Sequence, residues 1–217
     1  MVETTRLIEA MLRETPAAPL LPRALEAGRA PQAIAFRALF ASVSRRLGPA
    51  ASERIVAPPA LSALSRPHWT LTDWTRAFLT ACAVEHTPVA EQPGRVLRGY
   101  EGGEMGEQES VLRTLVLLPA PARFLETAVG ACRTNAKRVF EAVACDNPFP
   151  AAHFPELNFN QMVMKAVFIE APVARIEGLA GRRGAELLRM ARDYSSERRA
   201  AGRPVPADVT LILEGLP

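Results

Sequence analysis

The stretch "PELNFNQMVMKAVF", residues 155–168, carries the side chains best suited to binding a small molecule. At 100° per residue of an α-helix, Asn158, Gln161 and Lys165 fall on one narrow polar stripe. The amides can orient hydroxyl groups, and the ammonium can anchor a phosphate or carboxylate or, less readily, attack a carbonyl. The 26 basic side chains include only two lysines, Lys137 and Lys165, so 26 minus 2 leaves 24 arginines. A lysine in this place therefore indicates a position that a guanidinium does not fit.

Two polar residues in the preceding segment, Arg133 and Asn135, are expected to form the opposite wall of this pocket. The prediction requires Lys165 to be at least half-buried and to face a concavity shared with one of them. The alternative is structural: the amides satisfy backbone groups at the end of the "NPFPAAHFPEL" turn, and the lysine stem covers apolar surface while its ammonium reaches water. Because the helix is apolar nearly all round, we expect it to be central in the fold.

Arg198 is a further candidate in the segment "GAELLRMARDYSSERRAAGRP". Helical periodicity places it on the same side as Leu187, Ala191 and Ser195, which is the inward side. An arginine rarely lies inside without a partner, so the pattern predicts a carboxylate or a ligand anion beside Arg198. The open alternative is that its stem covers apolar surface while the charged head reaches water.

Motifs for catalysis are absent from the sequence: it contains no GxxxxGK[ST], GxGxxG after a strand, GxSxG or HExxH. Cys82 and His86 stand one helical turn apart, but a histidine bound to the last carbonyls of a helix explains the spacing more simply. The sequence therefore leans away from an enzyme, and it predicts no cofactor and no metal. Four glutamates lie close together in the sequence: Glu101, Glu104, Glu107 and Glu109. A solvated loop is the favoured interpretation of them, and a metal-binding lid is the alternative, because the Asp-rich spacing of a calcium site is absent.

Charge and composition narrow the class of protein. The net charge of +3 is spread over almost every segment, which argues against nucleic-acid binding. The sequence has no run of eighteen apolar residues, so we expect no membrane span. The first residues mix acidic and basic side chains, which is unlike a signal peptide. Three cysteines without a CxxC pair fit buried thiols in a reducing compartment, so a cytoplasmic location is expected.

Hydrophobic periodicity predicts helices and almost no strands. One helix is expected from Pro31 to Gly48 with Ile34, Phe36 and Leu39 on its buried face, and an amphipathic one follows a capping box of Thr70 and Asp73. Further helices are predicted at 107–118, about 120–145, 158–169 and 184–201. We expect a single all-α domain over 1–217, with N-terminal helices in 1–98 and a Gly/Glu loop at 99–110. The helices would form stacked antiparallel pairs, as an α-solenoid of HEAT-like type or as an irregular helical bundle.

The C-terminal half resembles the EboA family of the ebo metabolite gene clusters. The resemblance covers about residues 107–206 and rests on "RTN", "NPFP", "NQMVMKAVF" and "ERRAAGR". Members often have a histidine and a tryptophan where this chain has Ser196 and Arg199, and an asparagine near Gly184. The resemblance implies a role in making or moving a small metabolite, alongside the other proteins of such a cluster.

Two function classes follow from these observations. The first is an accessory helical-repeat protein that binds a partner protein of an ebo-type cluster or a pathway intermediate. The second is a small-molecule binder or enzyme that holds a sugar-phosphate or cyclitol-like compound in the pocket around Asn158, Gln161 and Lys165. The sequence leaves the oligomeric state open. A closed polar pocket would favour the second class, and an exposed apolar groove the first.

Overall fold

The computed structural model describes residues 2–30, 34–62, 64 and 68–215, and within them the chain is all-α. The only extended pairing in these ranges is an isolated antiparallel bridge between Arg54 and Thr70. The predicted fold class is therefore confirmed. None of the helices in the described ranges combines the length and apolarity that a bilayer crossing requires.

Fourteen α-helices lie in the described residues, joined by short turns of which several are 3₁₀-helical. They are α1 (Glu3–Arg13), α2 (Leu21–Arg29), α3 (Ile34–Leu47), α4 (Pro59–Ser62), α5 (Leu71–Glu85), α6 (Gln92–Glu101), α7 (Met105–Thr114), α8 (Leu125–Ala131), α9 (Lys137–Ala144), α10 (Phe149–His153), α11 (Glu156–Phe168), α12 (Leu179–Arg182), α13 (Ala185–Ala200) and α14 (Ala207–Glu214). Backbone contacts divide the chain into two compact units, Met1–Ala128 and Val129–Pro217. The division falls inside α8.

Helix α5 is the centre of the first unit, where it contacts α1, α2, α3, α6 and α7. Its predicted capping box is present, with the Thr70 hydroxyl accepting from the Asp73 amide. The prediction of an amphipathic helix was wrong, because α5 is buried on almost every side. Its threonines can be buried because their hydroxyls donate to carbonyls one turn back, as Thr75 does to Leu71 over 2.7 Å.

Close packing of α2 on α5 depends on Gly28. A Cβ at this position would lie 2.7 Å from the Cys82 Cβ and 3.0 Å from its carbonyl carbon. The absence of a side chain thus sets the distance between the two helices.

The helix predicted over 31–48 corresponds to α3, which ends at Leu47, and the next residue, Gly48, has a left-handed φ of 55°. Pro31 lies outside the described residues. Phe36, Leu39, Phe40, Val43 and Leu47 are buried as expected. The placement of Ile34 on the buried face was wrong, because its side chain is 87% exposed. Ile34 is the first described residue of α3.

The Gly/Glu segment forms much more helix than predicted. Only Gly102, Gly103 and Glu104 separate α6 from α7, and Glu104 and Glu107 form a capping box at the start of α7. Glu109 is buried and pairs with Arg113, so it does not belong to a solvated loop. Buried Arg76 of α5 ties this region together by donating to the carbonyl oxygens of Phe40, over 3.2 Å, and Gly106, over 2.9 Å.

Two helix predictions in the C-terminal half were wrong: the continuous helix over about 120–145 and the central position of the helix at 158–169. The helix expected over about 120–145 is broken between Ala131 and Lys137, because the Thr134 hydroxyl accepts from the Ala136 amide and stabilises a turn. Helix α11 packs against α9 and α13, but it is not central. Its Leu157 is 62% and its Phe168 73% exposed, so α11 has a solvent side.

Candidate functional site

Lys165 stands on the exposed flank of α11 and reaches the turn between α8 and α9. Its ammonium donates to the Thr134 carbonyl oxygen over 2.7 Å and lies 5.7 Å from the centre of the Phe140 ring. The side chain is half-buried, as the sequence predicted for a ligand-facing lysine. One N–H is used by the carbonyl, and an ammonium has three, so two remain for another acceptor.

A polar concavity of about 220 Å³ lies in front of this ammonium. Arg133, Asn158, Gln161 and Lys165 all line it, so the structure brings together four of the six residues that sequence reasoning singled out. The 100° spacing of the stripe on α11 provides three of them, and the turn after α8 provides Arg133. The remaining lining residues are mainly apolar: Val129, Cys132, Phe154 and Met162.

Asn135 faces a second, wider groove of about 700 Å³ on the other side of Lys165. Lys165 is the residue that both concavities share. The groove runs along α11 and α13, and its apolar lining is Met164, Phe168, Ile169, Met190 and Tyr194. The rings of Phe168 and Tyr194 are in contact, with their centroids 5.7 Å apart. Arg189, Asp193 and Glu197 of α13 give the groove a charged edge.

Arg198 lines neither concavity. It is half-buried, and its Nε donates to the Pro204 carbonyl oxygen over 3.0 Å. The backbone amide of Arg203 in turn donates to the Arg198 carbonyl over 2.8 Å. These contacts close the end of α13, so the hydrogen-bond partner of Arg198 in the structure is a backbone carbonyl, whereas the sequence predicted a carboxylate or a ligand anion.

The thiol in the polar concavity is not an activated nucleophile. Burial raises the pKa of Cys132 to about 12, and the nearby Lys165 charge only partly opposes that rise. Cys82 and His86 do not form a catalytic pair either, because the His86 Nδ1 lies 2.8 Å from the Cys82 carbonyl oxygen at the end of α5. Within the described residues, no group of three histidine, cysteine or acidic side chains could hold a metal ion.

In the structural alternative, the amides of α11 support the turn "NPFPAAHFPEL"; the hydrogen bonds that hold this turn come from other side chains. Asn147 provides some of them, with its amide donating to the Ala142 carbonyl and accepting from the Phe149 amide. Arg182 provides others by donating to the carbonyls of three residues, namely Pro150, Ala151 and Phe154. Its guanidinium also lies 4.3 Å from the centre of the Phe159 ring. The "DNP" turn sequence could have indicated Asn147, whereas no local pattern marks Arg182.

Comparison with known proteins gives one match. The family model described as "Metabolite traffic protein EboA" matches residues 24–214. The match includes the C-terminal half, on which the resemblance seen in the sequence rests, and extends well into the N-terminal half. No curated protein and no solved structure matches the chain.

Proposed function

The chain belongs to the EboA family, and from this premise we propose that it is an accessory protein of metabolite traffic that binds a small anionic, hydroxylated pathway intermediate without converting it. The proposed site is the polar concavity of the second unit. The observation that carries this proposal is the convergence of Arg133, Asn158, Gln161 and Lys165 on that concavity from two separate elements.

The side chains of the concavity suit a ligand with one anionic group and several hydroxyls. Lys165 and Arg133 supply positive charge, and the Thr134 carbonyl fixes the lysine ammonium so that its position costs little entropy when a ligand binds. The Asn158 and Gln161 amides can each donate and accept, which matches hydroxyl groups. A sugar phosphate or a phosphorylated cyclitol has this combination of groups.

The chemistry of the concavity supports binding without conversion. The Cys132 thiol is protonated at neutral pH because its pKa is near 12. The lining residues include no histidine and no carboxylate that could serve as a general base. The concavity can hold an anion and release it, which is what a protein of metabolite traffic requires.

Docking of a partner protein is the second candidate function, and the open groove beside Lys165 favours it. Phe168 is 73% exposed and its ring contacts the partly buried Tyr194, and an exposed aromatic ring beside charged residues is typical of protein-binding surfaces. Substitutions distinguish the two candidate functions: replacing Phe168 should weaken binding of a partner protein, and replacing Lys165 should weaken binding of a small ligand.

A thermal-shift screen of sugar phosphates and cyclitols tests the proposed function, because a ligand that binds only the folded state raises the melting temperature. We expect a phosphorylated compound to raise it, and Lys165→Met to abolish that shift while leaving the protein folded. Lys137→Met is the matched control: Lys137 also donates its ammonium to a carbonyl, that of Glu170, and it does not line the concavity.

The result that would overturn the proposal is a ligand response that Lys165→Met leaves unchanged, or one that Lys137→Met removes equally. In either case the stripe on α11 has a structural role only. The docking function would be favoured if no small molecule shifts the melting temperature of the wild type and if Phe168→Ser loses binding to a partner protein that the wild type binds.

A further inference from the structure

A narrow slot of about 50 Å³ lies inside the first unit, apart from the site proposed above. Helices α3, α5, α6 and α7 provide its walls. The apolar part of the lining is Phe36, Phe40, Ala83, Val84, Val96 and Val111. Two arginines, Arg37 and Arg95, line the same slot, although its other walls are mostly hydrocarbon.

Arg95 has a buried nitrogen that the fold leaves without a hydrogen-bond acceptor in the described part of the chain. Its guanidinium lies 4.3 Å from the centre of the Phe36 ring, and its Nη2 is excluded from solvent. This nitrogen has no hydrogen-bond partner among the described residues. Leaving a buried cationic donor without an acceptor is costly, so such groups are rare in proteins, and a ligand that supplies the acceptor would explain this one.

The surroundings of Arg95 attract an anion. Burial, and then the charges of Arg98 and Arg37, lower the pKa of the Arg95 guanidinium, which nevertheless stays protonated. Arg37 is held at one side of the slot because it donates to the Gly102 carbonyl oxygen. A Cβ on Gly102 would meet the Arg37 guanidinium at 2.6 Å, so the glycine makes room for it.

Glu107 is the one carboxylate among the lining residues, and it is engaged in capping α7. Its Oε2 accepts from the Glu104 backbone amide over 3.3 Å in the capping box of α7. No ion pair between Arg95 and a carboxylate is present in the described part of the chain. The slot thus has an unused guanidinium donor at an apolar recess.

We propose that this slot binds the carboxylate of a small monocarboxylic acid with an apolar tail. The carboxylate would accept from the Arg95 guanidinium, whose planar fork matches two oxygens, and the tail would lie against Phe40, Val84 and Val111. A singly charged group suits the slot better than a phosphate dianion, because desolvating a second charge is costly and Glu107 is nearby. The slot holds the carboxylate and the first carbons of the tail and excludes a sugar, so the end of a longer tail would extend beyond the slot.

This inference does not rest on the function proposed for the second unit, since Arg95 and Lys165 lie in different units. The two sites also differ in ligand class, one taking a hydroxylated anion and the other an apolar acid. A failure of either proposal therefore leaves the other intact.

Isothermal titration and thermal shift with sodium acetate, butyrate and hexanoate, at constant ionic strength and millimolar concentration, test the slot. We expect a carboxylate of intermediate or longer chain to raise the melting temperature, and Arg95→Met to weaken its binding at least about tenfold, which corresponds to the loss of one charge-assisted pair. Arg95→Lys keeps the charge without the fork and should bind more weakly than the wild type. Arg45→Met, which removes an exposed arginine of α3, is the matched control and should bind normally.

A second variant blocks the slot without touching a charge. Val111 lines it and is buried, so the larger side chain of Val111→Phe should occupy the space, and circular dichroism checks that the variant folds. We expect Val111→Phe to lose hexanoate binding and Lys165→Met to retain it. The proposal is overturned if no carboxylate shifts the melting temperature, if hexanol shifts it as much as hexanoate does, or if inorganic phosphate binds in place of the acids and depends on Arg95. It is equally overturned if Arg95→Met binds hexanoate as the wild type does.

Discussion

Arg113 donates from Nη1 to the Asp73 carboxylate over 2.8 Å, and this bond connects α7 to the first turn of α5. The same carboxylate accepts from the Thr70 backbone amide over 3.0 Å, so one side chain both caps the central helix and receives the ion pair. Burial by itself would raise the pKa of Asp73. The Arg113 charge and the hydrogen bonds from Thr70 and Arg113 outweigh that effect and hold the pKa below its usual range.

The lowered pKa of Asp73 makes the first unit sensitive to acid. A carboxyl with a depressed folded-state pKa contributes stability above its unfolded pKa of about 3.9, and loses that contribution as the pH falls through the folded value. The free energy of unfolding, measured with urea at a series of pH values from neutral to acidic, should therefore fall in acid. In Asp73→Asn the fall should be smaller. Arg113→Met should cost about 3 kcal/mol at neutral pH, because it leaves a buried carboxylate with one partner fewer. An Asp73→Asn protein with an unchanged pH profile would contradict this assignment.

Gly28 and Gly130 should respond to alanine in opposite directions. Gly28→Ala places a Cβ against Cys82 and should destabilise the protein by about 1–3 kcal/mol through overpacking. Gly130→Ala meets no atom within 4 Å on the exposed side of α8, and should be neutral or stabilise by up to about 1 kcal/mol. Chemical denaturation of both variants measures the difference. Equal effects would mean that α2 can move away from α5 without cost.

Two phenylalanines of α11 should differ sharply in their contribution to stability. Phe159 is fully buried beneath Arg182, so Phe159→Ala should cost about 3–5 kcal/mol. Phe168 is 73% exposed, and Phe168→Ala should change the free energy of unfolding by less than about 0.5 kcal/mol. A large loss of stability in Phe168→Ala would assign the exposed ring to the fold, and would remove the argument that it serves a partner.

Replacing the buried Asn160 should stabilise the protein, in contrast to replacing Phe159. Its side chain is 1% exposed, and neither its amide nitrogen nor its amide oxygen has a hydrogen-bond partner among the described residues. Replacing an unsatisfied buried amide by an apolar group of similar size removes a desolvation cost, so Asn160→Leu should stabilise the protein by about 1–2 kcal/mol. Thermal and urea unfolding measure this directly. A destabilised variant would show that a buried water satisfies the amide.

Several parts of the structure that depend on neighbouring residues were predicted from the sequence. The capping box of Thr70 and Asp73, the end of α3 at Leu47 beside Gly48 and the stripe of Asn158, Gln161 and Lys165 each involve residues within about two helical turns, where spacing alone fixes geometry.

Most of the features that were missed depend on residues distant in sequence, and one, the break before α9, is local. Arg182 finds its carbonyl partners 28 to 32 residues earlier, and Arg95 rests on Phe36. Burial of α5 on all sides depends on five other helices, and no local period distinguishes such a helix from an amphipathic one. The break before α9 was missed because the hydroxyl of Thr134 competes with the helical backbone for hydrogen bonds, and an apolar pattern does not report that competition.

The order in which a ribosome makes the chain gives the Arg182 contact a further consequence. The carbonyls of Pro150, Ala151 and Phe154 are synthesised before the guanidinium that binds them. Until residue 182 has been added, the nascent segment must leave these acceptors to water, and the Phe159 ring lacks the cation that covers it. A chain terminated just short of this arginine would therefore lack these bonds, expose apolar surface and be prone to aggregate.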